Sequence, residues 1–196
     1  MGRPTNQVAS AIGRFSDKCH RVLRSLRIRL GAIARGSIIS PAALVNVETG
    51  ASIRIGCGVR VRPDAIINVV ENGVLTVEEG AWIGPGTVIY CAERITIGAH
   101  SRIAHYVSII DHDYGFRDRN MFDATRTKAP IEIGREVWLG ASAIIMKGTQ
   151  IGEGSVVAAG TVVTKAIPPH SVAHNPRPLV VRPIATSDAN PPNSDK

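Results

Sequence analysis

The residues best suited to chemistry in this 196-residue chain gather in one short stretch, IIDHDYGF, residues 109 to 116. There Asp111 and Asp113 bracket His112. A neutral imidazole can take a proton from a hydroxyl near pH 7, provided its other nitrogen is held by an acceptor that fixes the tautomer. Asp111 and Asp113 are both within reach in sequence, and a backbone carbonyl could serve instead. His112 is thus a candidate general base, with no metal required. Cys19, Cys57 and Cys91 are scattered and form no CxxC pair, so they read as reduced packing thiols.

A base of this kind needs a rigid support, and the flanking sequence supplies a regular one. From Ile133 an aliphatic residue returns at every sixth position, through Leu139, Ile145, Ile151, Val157 and Val163. Upstream the same beat runs Ile97, Ile103, Ile109, and, in a register shifted by two, Val77, Ile83, Ile89, Ile95. A weaker version appears at Ile55, Val61 and Ile67. A period of six fits neither a helix nor an alternating strand. It fits a chain that runs straight, turns and repeats, so that three sides close one triangular coil and successive coils pair as parallel strands. Small residues often follow the inward aliphatic, as at Gly134, Gly140, Gly152 and Ala158, where a corner leaves no room. The cluster interrupts this beat for about twenty residues, and the register returns afterwards in whole hexads. That marks a loop projecting from a scaffold, the usual seat of working residues.

Composition agrees with thin stacked layers. Hydrophobic residues are 44% of the chain but aromatic residues only 4%. Most of the net charge of +7 is local, because residues 14 to 35 hold seven basic residues against Asp17 alone. Within that segment Leu23, Leu26, Leu30 and Ile33 share one helical face, which predicts a basic amphipathic helix. It would cap the first coil, and it could also make peripheral contact with an anionic membrane. The body lacks the basic and aromatic working face of a nucleic-acid binder. No apolar run is long enough to span a bilayer and no secretory signal is evident, so a cytoplasmic location is expected, with possible contact at the inner face of the membrane.

The hexads, together with VWLGASAIIMKGTQIGEGSVVAAGTVVTKAIPPHSVAHNP at residues 137 to 176, resemble the hexapeptide-repeat acyltransferases. The similarity is to the maltose, galactoside and nodulation-factor O-acetyltransferases and to relatives that acetylate bacterial surface polysaccharides. It implies an all-β solenoid, a left-handed parallel β-helix of about six triangular coils with an N-terminal helix and a protruding loop. The cap would occupy residues 1–35, the β-helix 36–166 with its active-site loop at 111–130, a segment along the coenzyme-A groove 167–184, and a disordered tail 185–196. The implied activity is acetyl-CoA-dependent O-acetylation of a free or lipid-linked saccharide in O-antigen, capsule or exopolysaccharide synthesis. His112 would be the base, in a cleft shared between subunits of a homotrimer.

The same resemblance places Trp138 beside the thioester arm and Gly140, Ala141 and Ala159 along the narrow groove. Thr164, Lys165, Arg177 and Arg182 would face the phosphate-bearing end, a cation being suited to a polyanion. The chain departs from the family pattern twice. His174 stands where relatives carry glycine in an AGNP motif, and Gly86 stands near where the sugar acetyltransferases carry asparagine. Other readings are an N-acetyltransferase acting on an amino sugar or serine, and a non-catalytic or metal-binding β-helix. The spacing of His100 and His105 is similar to part of the zinc site of β-helical carbonic anhydrases, but Asp64 stands where the third histidine would be.

Overall fold

The computed structural model describes residues 33–114 and 126–176. The N-terminal helix expected within residues 1–35 therefore lies almost wholly outside the described residues, and so do Cys19, the centre of the loop, Arg177, Arg182 and the tail.

Each turn of the chain lays one strand on each of three faces. The first coil has β1 (Ile38–Ile39), β2 (Leu44–Val47) and β3 (Ser52–Ile55), and the second β4 (Arg60–Val61), β5 (Ile66–Val69) and β6 (Val74–Val77). The third has β7 (Trp82–Ile83), β8 (Val88–Cys91) and β9 (Arg94–Ile97). The fourth has β10 (Arg102–Ile103) and β11 (Ser108–Ile110), then a side hairpin of β12 (His112–Tyr114) and β13 (Arg126–Lys128), then β14 (Ile131–Ile133). The fifth has β15 (Trp138–Leu139), β16 (Ile144–Met146) and β17 (Gln150–Ile151). In the sixth, β18 (Val156–Val157) and β19 (Val162–Val163) are followed by a single bridge from Ile167 to Ile151.

A last strand, β20 (Val172–Ala173), pairs with β18. Among the described residues face I holds seven strands, face II six and face III five, all paired in parallel. Among the described residues there are thus five complete coils and a partial sixth, and the stack continues past residue 166. The side chain of Asn175 then meets β19, the last described strand of face II, its Oδ1 accepting from the Val162 N–H at 2.6 Å.

The expected inward residues form the core. Ile55, Val61, Ile67, Val77, Ile83, Ile89, Ile97, Ile103, Ile109 and the six from Ile133 to Val163 are all buried, and the described core contains no aromatic side chain. A Cβ on Gly140 would stand 2.6 Å from the Ala159 amide nitrogen in the next coil, so close coil-to-coil approach demands the missing side chain there. Corner residues take left-handed backbone, among them Gly80 and Gly154, and the rings of His100 and His170 from the following coils lie against those two glycines. Any side chain at either position would strike the ring.

The upstream coils are longer than eighteen residues. Ile55 pairs with Val77, Val77 with Ile97, Ile97 with Ile133 and Ile133 with Ile151, which are steps of 22, 20, 36 and 18 residues. The whole variation sits at one corner. From face III to face I and from face I to face II the inward residues stay six apart, as in Ile97, Ile103 and Ile109. From face II to face III the step is ten in Ile67 to Val77, eight in Ile89 to Ile97, twenty-four in Ile109 to Ile133 and six in Ile145 to Ile151. The upstream register shift of two and the long interruption are therefore the same device. The loop replaces no coil and is an extrusion of one corner.

Leu139 is fully buried between coils. Leu139→Ala is expected to cost about 2–5 kcal/mol, read as a lower urea midpoint with an unchanged slope.

Candidate active site

Every residue of the loop base is placed by the corner between faces II and III. Asp111 leaves β11 and is fully buried. Its Oδ1 accepts from the Ala92 N–H and its Oδ2 from the Glu93 N–H, each at 2.8 Å. Those two amides belong to the corner of the preceding coil, where the step is two residues longer than a plain hexad. A buried carboxylate needs such donors, because an unmade hydrogen bond there is costly.

His112, only 8% exposed, places Nδ1 3.2 Å from Asp111 Oδ1. Its ring meets Tyr90 edge-on, with centroids 4.9 Å apart. With Nδ1–H donating to Asp111, the lone pair lies on Nε2, and that nitrogen can accept a proton. Of the acceptors left open by the sequence, the geometry selects Asp111. Asp113 faces elsewhere. It accepts from Lys147 Nζ at 2.8 Å and from the Thr127 hydroxyl, and these partners hold its carboxyl below the usual range.

Of the cysteines read from the sequence as packing thiols, Cys91 does pack in the core, and it does so beside this cluster. Its thiol is fully buried near the Asp111 carboxylate. Burial first, and then the negative charge of Asp111, push it up to about 12, so it remains a protonated thiol and no nucleophile. Cys57 is exposed and free.

The hairpin of β12 and β13 is pinned on both sides. Arg126 Nη1 donates to Glu71 Oε1 at 2.9 Å, Lys128 reaches the other Glu71 oxygen, and these cations lower the Glu71 carboxyl. Arg126 also donates to the Tyr114 hydroxyl and stacks on its ring, with Cζ 5.5 Å from the centroid. On the other side Lys147 binds Asp113 and Thr127. Glu71 and Lys147 occupy the same corner, two coils before the hairpin and one coil after it. None of Tyr90, Glu71, Arg126 and Lys147 carries a local sequence signal.

The other expected residues divide into two sets. Gly140, Ala141 and Ala159 stack at the corner between faces I and II, where the Gly160 N–H donates to the Ala141 carbonyl at 2.8 Å. The N–H groups of Ala141 and Ala159 have no hydrogen-bond partner among the described residues. The matching positions in earlier coils include Pro63 and Pro85, which have no N–H to satisfy. Trp138 projects from face I beside this corner and is 55% exposed. Thr164 and Lys165 are exposed at the corner between faces II and III, the edge that carries His112. His112 and the Ala141 set therefore lie on different edges of the prism.

His100 is a corner residue whose Nε2 lies 3.8 Å from Glu79, and the His105 ring meets Tyr106 edge-on. No group of three His, Cys, Asp or Glu arranged for a metal occurs among the described residues. Likewise no helix there is long and apolar enough to cross a membrane.

Residues 130–165 match the family described as "Hexapeptide repeat of succinyl-transferase". The putative colanic acid biosynthesis acetyltransferase WcaF of Escherichia coli (strain K12) is 32% identical over 131 residues, covering 66% of this chain and 68% of WcaF. The chain belongs to the hexapeptide-repeat acyltransferases. A shorter match, 45% identical over 73 residues, joins 37% of this hexapeptide-repeat chain to 36% of the putative acetyltransferase SACOL2570 of Staphylococcus aureus (strain COL). In fold, it is similar to AntD, an N-acyltransferase from Bacillus cereus solved with coenzyme A and a dTDP-amino sugar. The TM-score is 0.61 at 21% identity, covering 76% of this chain and 82% of that one. The left-handed parallel β-helix expected of a hexapeptide-repeat acyltransferase is the fold of this enzyme.

In this acyltransferase ¹⁵N-resolved NMR of the imidazoles is expected to find the His112 proton on Nδ1 at neutral pH. A signal for the Nε2–H tautomer would remove His112 as a base, and Asp111→Asn is expected to mix the two forms.

Proposed function

We propose that the enzyme transfers the acetyl group of acetyl-coenzyme A to a hydroxyl of a saccharide, with His112 as general base. The observation that carries this reading is the buried Asp111–His112 pair, which leaves Nε2 as the proton acceptor. Nε2 takes the proton of the acceptor hydroxyl as its oxygen attacks the thioester carbonyl. The tetrahedral oxyanion then collapses, the C–S bond breaks, and the imidazolium returns the proton to the leaving thiolate. Transfer is direct in this reading, because Cys91 is buried and held as a thiol and Cys57 stands at the corner between faces III and I, on a different edge from His112.

The donor groove is assigned to Trp138, Gly140, Ala141 and Ala159. Its fit rests on two features. The corner is built from residues with little or no side chain, and the free N–H groups of Ala141 and Ala159 stand one strand spacing apart, about 4.8 Å, ready for the amide carbonyls of a pantetheine arm. Lys165 and, beyond the described residues, Arg177 and Arg182 are assigned to the phosphates. The saccharide acceptor accords with WcaF, named for colanic acid biosynthesis.

Because His112 and the groove occupy different edges, a complete site takes the edge of one chain and the groove of a neighbour. The homotrimer is what the resemblance to the hexapeptide-repeat acyltransferases implies, and a site shared between neighbouring chains is compatible with it.

His112→Ala is expected to cut transfer by about 10²-fold or more while coenzyme A binding by calorimetry stays nearly unchanged. Near-normal turnover would remove His112 from the role. An acceptor screen by thiol release distinguishes a hydroxyl from the amine of an amino sugar. For the shared cleft, His112→Ala and Ala159→Trp chains, each inactive alone, are expected to recover activity when unfolded and refolded together. No recovery would place the whole site within one chain.

A further inference from the structure

Both tryptophans of the chain lie on one ladder of face I. Arg60 pairs with Trp82, Trp82 with Arg102, and Arg102 with Trp138, on four successive strands. Since Val61, Ile83, Ile103 and Leu139 point inward, these neighbours all point out. Arg62 and Arg102 flank Trp82, with Cζ 5.8 and 5.3 Å from the indole centroid. Trp82 remains 38% exposed.

Arg60, Arg62 and Arg102 have no ion-pair partner among the described residues. Along the corner between faces III and I, Glu136 pairs with Arg135, and Glu79 and Glu153 each lie 3.8 Å from a histidine, whereas Asp64, at the corner between faces I and II, makes no ion pair with Arg62 among the described residues. An apolar ring between two uncompensated guanidiniums calls for a ligand that is flat and apolar on one side and anionic at its rim. A pyranose ring bearing a carboxylate or phosphate has that character: its C–H face covers an indole, and its oxyanion takes the forked donors of arginine. Trp82 and Trp138 are two strands apart, about 9.6 Å, with Arg102 between them. The ladder thus leads from Trp138, the donor end in the reading above, toward the earlier coils.

We propose that Trp82 with Arg62 and Arg102 forms an acceptor subsite selecting an anionic saccharide. This rests on the acyltransferase reading for its role in transfer, but its binding is tested without catalysis. In a Trp138→Phe chain Trp82 is the sole tryptophan. Its fluorescence is titrated with a glucuronate tetrasaccharide, an uncharged glucose tetrasaccharide and glucose 1-phosphate. A saturable change with the uronate places the anion on the sugar itself, whereas a change with the phosphate alone places it at the link to a carrier. Either supports the subsite, provided the uncharged sugar binds at least about tenfold more weakly and Arg62→Gln or Arg102→Gln loses about tenfold in affinity, the worth of one charge-assisted hydrogen bond. Equal binding of the uncharged sugar, no response to either anion, unchanged affinity in the arginine variants, or a Trp82 shielded from iodide quenching in the native assembly would overturn it. Failure of acetyl transfer alone, with these titrations as expected, would count against the acyltransferase reading and leave the subsite standing.

Discussion

Parallel pairing along three faces at once is the constraint on which this molecule depends. Each coil must return every inward aliphatic to the same height on the same face, because a one-residue slip turns a whole strand inside out. Two corners obey this with a fixed step of six residues between inward side chains. The third releases the constraint, since residues added there bulge outward without altering any face. All the length variation of the chain collects at that edge, and so does the titratable cluster.

Asp111 joins scaffold to chemistry. It is reached directly from a paired strand, it is fully buried, and its two oxygens are committed to backbone donors of the coil beneath. An imidazole that hydrogen bonds to so fixed a carboxylate has little freedom of its own. The hairpin that continues from it would be marginal as an isolated pair of strands. Its stability is borrowed from Glu71 on one side and Lys147 on the other, contacts that are individually modest at a half-exposed surface but act on opposite edges of the same ribbon.

The repeat made most of the fold legible before any coordinates, because the inward position of a triangular coil tolerates only aliphatic residues and shows its period directly. The six-residue spacing from Ile133 to Val163 became six stacked core residues. The coil length was harder to read, since the added residues at Ala92 and Glu93 look like noise in the period, yet they supply the amides that hold Asp111. His112 stood out because a titratable triplet broke a regular pattern. The choice between Asp111 and Asp113 did not, because it depends on which carboxylate points into the prism. Cys91 as a neighbour of Asp111, and Glu71 and Lys147 as anchors, arise from contacts tens of residues apart that only the stacking creates. Trp82 went unremarked for a similar reason: its arginine neighbours lie twenty residues before and after it.

The finishing end of the prism has its own logic. Among the described residues the three faces stop at different heights, and there the Asn175 side-chain amide accepts from the Val162 N–H of face II. A flush, bare rim would present a ready template on which another molecule could add strands, the route by which solenoids grow into fibrils. A stepped rim offers such an intruder no continuous matching edge, and the Asn175 carboxamide takes up a donor that a new strand on face II would otherwise use.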